Sequence, residues 1–127
     1  MSTSKEMTKE QARATYDHIK DMIKRKKRYI KEGNQRDYEA VDHEIHESAL
    51  SVEVKSGWHM PARDAQPHKY RIVKTAGGPH VEITGELDEH GTPKTARIEA
   101  WIHGESCIID DTNGYILGYA SSFYFKE

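Results

Sequence analysis

The chain has 127 residues, 35% of them apolar and 31% charged, and a formal charge of −2. That length suits one domain with its own core, whereas the low apolar share predicts a modest core and broad surfaces. No apolar run approaches the roughly 18 residues of a membrane span and no signal peptide is read, so a soluble, cytoplasmic protein is expected. The single cysteine, Cys107, excludes an internal disulfide, and its neighbours Ile108 and Ile109 predict a buried thiol. Charge is polarised along the chain: residues 1 to 33 hold ten Lys/Arg against five Asp/Glu, and residues 34 to 127 hold nine against sixteen. Opposed charge of this kind steers macromolecular partners more readily than it builds a catalytic pocket.

Thr8-Lys9-Glu10-Gln11 reads as a capping box opening a first helix, with Met7 and Ala12 as its staple. Ala12, Tyr16, Ile19, Ile23 and Ile30 follow helical spacing until Gly33-Asn34 supplies a stop. Tyr38, Val41 and Ile45 repeat that spacing, so residues 8 to 48 read as an antiparallel helical hairpin, an arm with narrow apolar stripes that leave a homodimer open. At Leu50 the period drops to two. Leu50, Val52 and Val54 begin one strand, Tyr70 to Lys74 a second, Val81, Ile83 and Leu87 a third, and Ala96, Ile98, Ala100 and Ile102 a fourth. Trp58 continues the first strand's apolar parity. Residues 49 to 127 are thus expected to form a four-stranded antiparallel sheet with one wet, acidic face, closed by a C-terminal helix carrying Ile116, Tyr119, Ala120 and Phe123. The fold class is α+β in a single domain.

Chemistry-bearing motifs fall short on inspection. In Asp42-His43-Glu44-Ile45-His46-Glu47 the residue four after His43 is Glu47, so the two-histidine helical metal motif is missed by one position. A calcium loop aligned on Gly114 would put Ile109 and Ala120 where acids are required. Thr75 to Pro79 is glycine-rich but reads as a hairpin turn between strands. Neither catalytic residues, nor a metal, nor a cofactor is expected, and a metal-dependent hydrolase on His43 and His46 is the weakest alternative. Five consecutive cations, Lys24 to Arg28, predict a partner-binding helix using Lys20, Lys24, Arg25, Lys27, Arg28 and Lys31. The acidic second helix argues against a helix-turn-helix. Glu82, Glu86 and Glu99 with Trp101 are the expected contacts on the sheet.

The run from Ala49 to Trp58, followed by Tyr70-Arg71-Ile72, Gly77-Gly78-Pro79, Gly85 to Glu89 and the terminal Phe123-Tyr124-Phe125, resembles small phage and mobile-element proteins of the anti-CRISPR type. The likeness covers roughly the C-terminal two thirds. It implies a non-enzymatic accessory protein that counters host defence by binding and occluding a CRISPR effector complex or one of its subunits. The alternative is a phage nucleic-acid-binding accessory protein that meets guide RNA or DNA through the first helix.

Overall fold

The computed structural model describes residues 4–56, 67–75 and 79–125. Helix α1 spans Ser4–Glu32 and α2 Gln35–Glu47; strands β1 (Ser51–Ser56), β2 (Pro67–Thr75), β3 (His80–Glu86), β4 (Arg97–Ile102) and β5 (Glu105–Asp110) follow, then a short α3, Tyr115–Ala120. The architecture is α+β. The expectation falling on Trp58 and on the glycines after Thr75 lies outside the described residues.

Helix α1 begins before the predicted capping box. Thr8 is inside the helix and fully buried, its hydroxyl donating to the Lys5 carbonyl at 2.8 Å rather than capping a terminus. The predicted stop holds: Gly33 takes φ 67°, its N–H donates to the Ile30 carbonyl, and the Asn34 N–H reaches back to Tyr29. This is a Schellman ending, which glycine adopts without the cost of a Cβ in left-handed backbone. Asn34 then opens α2, its side-chain oxygen accepting from the Asp37 N–H at 3.1 Å. The chain reverses within two residues, and α2 returns beside α1, as the Arg25–Glu44 pair records.

The strands form one antiparallel meander in chain order, with β1 and β5 as its edges. Five strands, not four, make the sheet. The fifth is set by a two-residue turn at His103-Gly104, both with positive φ, which closes Ile102 onto Glu105. Cys107 pairs with Ala100 and is only partly buried, packed at the margin of the core.

One core joins the layers. Ala12, Tyr16, Ile19, Met22 and Ile23 of α1, Val41 and Ile45 of α2, and Ile116, Tyr119 and Ala120 of α3 pack on Tyr70, Ile72, Val81, Ile83, Ile98 and Ala100. Helix α1 lies over β4 and β5 and against α3. The surface that its narrow stripe requires is therefore the sheet itself. Burying a side chain such as Ile19 contributes about 1.5–3 kcal/mol. α3 is shorter than the periodicity predicts. Its first turn is capped from Asp111, whose two carboxylate oxygens accept from the backbone of Ile116 and Leu117 at 3.2 and 3.1 Å. Beyond its end, Phe125 is buried against Tyr70, ring centroids 4.8 Å apart.

Candidate functional site: the lysine face of the first helix

A helix advances 100° per residue, so positions i, i+4, i+7 and i+11 share one face. Lys20, Lys24, Lys27 and Lys31 occupy that spacing on α1, forming a row about 16 Å long. Among the described residues none of the four has a carboxylate ion-pair partner. Their common neighbour is aromatic: the ammonium groups of Lys20, Lys24 and Lys27 lie 5.7, 6.0 and 5.4 Å from the ring centroid of Tyr115 at the start of α3. The ring's negative face attracts each of them without neutralising any.

The other cations of the basic run point elsewhere. Arg25 makes a bidentate pair with Glu44, both contacts 2.8 Å, and a further contact to Asp21 at 3.0 Å. Hydrogen bonding from Arg25 holds the Glu44 carboxyl below its ordinary range against the opposing effect of burial, and the same bond raises the guanidinium. Lys26 donates to the Ser122 hydroxyl at 3.0 Å, lies 3.5 Å from Asp42, and sits over the Tyr38 ring. Arg28 faces Glu32 at 4.0 Å and covers the Tyr29 ring. Of the six cations predicted for partner binding, the structure aligns Lys20, Lys24, Lys27 and Lys31 as an open row. It turns Arg25 to α2 and places Arg28 beside an acid.

The sheet residues divide as well. The face away from the helices carries Lys55, Lys69, Arg71 and Arg97 against Glu53, Glu82, Glu86, Glu99 and Asp110, by the strand register. Four cations against five carboxylates are near balance, so the acidic excess expected there is absent. Glu82 is 6% exposed, with Arg71 at 3.6 Å and His80 at 3.2 Å. Glu99 takes a 2.6 Å contact from Arg97, and only Glu86 of the three acids is open, at the rim of a shallow pocket of about 300 Å³ shared with Lys69, Thr95 and Arg97. Trp101 stacks on His80 at 4.2 Å and remains 38% exposed, on the same face as the half-exposed Ile108. The zinc-like residues of α2 resolve into i,i+4 pairs, His43 with Glu47 at 3.3 Å and His46 with Asp42 at 3.6 Å. Among the described residues no three ligating side chains converge.

Two features escape reasoning from the sequence. Tyr115 carries no local mark of its place among the lysines, because the contact joins α1 to α3, which the whole sheet separates in sequence. The second is a half-buried polar chain on the helix side of β2. Lys74 Nζ donates to the Tyr119 hydroxyl at 2.8 Å, Tyr119 meets Ser48 Oγ at 2.7 Å, and Ser48 donates to the Ile45 carbonyl at 2.5 Å.

Comparison of the chain with family models, with curated proteins and with solved structures gives no match in any of the three. The functional reading accordingly stands on the geometry.

Proposed function

We propose that this protein is a non-enzymatic binding module that meets a nucleic-acid backbone along Lys20, Lys24, Lys27 and Lys31. The observation that carries the reading is the alignment of four lysines, without carboxylate partners among the described residues, on one row of α1, with Lys20 half-buried and the other three exposed. A row of ammonium groups on a rigid helix can track successive phosphates, and the counterions released on contact supply the affinity. Small-molecule chemistry is disfavoured by the same layout, since the row lines an open helix face and not a cleft.

Titration of a labelled duplex between 50 and 500 mM salt tests it. Four phosphate contacts predict a slope of about −3.6 in log affinity against log salt on duplex, and about −2.8 on a single strand. Changing all four lysines to glutamine should flatten the slope toward zero, whereas a variant at Arg25 and Arg28 should keep most of it. Equal binding by the four-lysine variant would sink the proposal.

A second reading is favoured by the stacked Trp101–His80 pair beside exposed Ile108, an aromatic anchor with an apolar neighbour. In it the protein is a phage-encoded inhibitor that occludes a CRISPR effector complex in the host cytoplasm through the sheet. Nuclease-resistant capture of one effector by the tagged protein, lost on Trp101→Ala and retained by the four-lysine variant, distinguishes it from the first.

A further inference from the structure

Lys74 stands apart from the exposed lysines. It lies on the helix-facing side of β2 after Tyr70 and Ile72, under Tyr119, whose ring centroid is 4.6 Å from Nζ. Among the described residues it has no carboxylate partner, and the one hydrogen bond it makes goes to the Tyr119 hydroxyl. The hydrogen-bond chain has a fixed direction. Ser48 uses its proton on Ile45, so Tyr119 must donate to Ser48 and its oxygen is left to accept from Lys74. One N–H is thereby pinned, while nothing within the chain neutralises the ammonium charge. Desolvation is relieved instead by loss of the proton, and burial pulls the amine down to about 8.

The neighbourhood adds a docking shelf. Leu50 donates its N–H to the Val73 carbonyl at 2.7 Å, directly beside Lys74, and Val52 faces Ile72 across the ladder. Leu50 and Val52 remain 63% and 40% exposed, so an apolar surface open to solvent adjoins the amine.

We infer that Lys74 is a carbonyl-reactive amine, a site where a small aldehyde with an apolar body lies on Leu50 and Val52 and condenses to an imine. The neutral Nζ lone pair forms the C–N bond as the carbonyl π pair moves to oxygen. The carbinolamine oxygen then leaves as water, having gained one proton from the nitrogen and one from solvent, and the remaining nitrogen proton returns to solvent to leave the neutral C=N bond. One aldehyde and one amine give one imine and one water, with no oxidant or reductant. The Tyr119 hydroxyl, accepting an N–H of Lys74, positions the nitrogen until its last proton departs.

At pH 7 about a tenth of an amine titrating near 8 is neutral, against roughly three in ten thousand for an exposed lysine. That ratio outweighs partial burial as long as the aldehyde reaches Nζ. The test treats the folded protein with limiting hexanal and cyanoborohydride from pH 6 to 10 and maps alkylated peptides by mass. Lys74 is expected to carry about tenfold or more adduct over Lys20, Lys24, Lys27 or Lys31 at pH 7, with a rate that levels off near pH 8. The preference should vanish in urea. Even labelling of the lysines in the folded protein, or a Lys74 rate still climbing above pH 10, would overturn the assignment.

Discussion

The inward and outward faces of helix α1 use the same residue types to opposite ends. Arg25 and Lys26 turn to α2 and to the turn after α3, where Glu44, Asp42 and Ser122 receive them. Lys24 and Lys27, their immediate neighbours in sequence, turn to solvent around Tyr115. A charge block thus divides by helix phase into a structural half and an available half, and formal charge measures neither. A similar division governs the sheet, where Glu82 is consumed by Arg71 and His80 while Glu86, on the same strand, stays open.

Separate damage to each face sharpens the contrast. The largest effect is expected from the outward one: replacing the four lysines by glutamine should cost about three decades of nucleic-acid affinity at 0.1 M salt, measured by fluorescence anisotropy. Chemical denaturation of that variant should move by only about 1 kcal/mol, because the contacts with Tyr115 are lost while no ion pair is broken. Ile19→Ala strikes the inward face and should destabilise by about 2–5 kcal/mol in urea, with the salt slope of the remaining folded protein unchanged.

Lys74 supplies a third kind of cation, half-buried and without a carboxylate partner among the described residues, and its signature is pH dependence. The folded-state value near 8 lies below the usual 10.5, so between those values the unfolded chain binds more protons than the folded one. This group should raise stability by roughly 2 kcal/mol between pH 8 and pH 10. Above pH 10 the sign reverses. Burial lifts Tyr119 to about 12 and Tyr70 higher still, so the folded chain retains protons that the unfolded tyrosines release. Melting followed from pH 7 to 11 should show a maximum near 10, and Lys74→Met should remove its rising limb. The smallest effect belongs to the surface lock: a double-mutant cycle on Arg25 and Glu44 is expected to return about 1 kcal/mol, since both side chains are partly solvated.

Local pattern made much of this readable in advance. Alternation at Val81 and Ile83 and at Ile98 and Ala100 marks strands whose inner residues are fully buried, and Gly33 ends α1 because only that backbone needs positive φ there. The fifth strand was not readable in the same way. Cys107, Ile108 and Ile109 form a continuous apolar run without alternation, and the turn before them places His103 in left-handed backbone, an uncommon choice. Thr8 misleads for a related reason, because a hydroxyl that caps a helix can equally bond back to the carbonyl three residues earlier within one. The lysine row was present in the spacing of residues 20, 24, 27 and 31, yet the adjacent arginines concealed it until their acceptors on neighbouring turns and on α2 were visible. Lys74, Tyr119 and Ser48 come from three distant segments, and only the fold brings them together.

The Asp111 cap reaches further than the six-residue helix it starts. By holding the Ile116 and Leu117 amides it fixes the first turn of α3, and with it the ring of Tyr115. Three ammonium groups converge on that ring, so Asp111 helps place the aromatic surface they share while α1 itself sets their spacing. An acid outside the lysine row thus places the ring that three of its ammonium groups share, and under the proposed function a defect there should surface as weaker nucleic-acid binding in a protein that still folds.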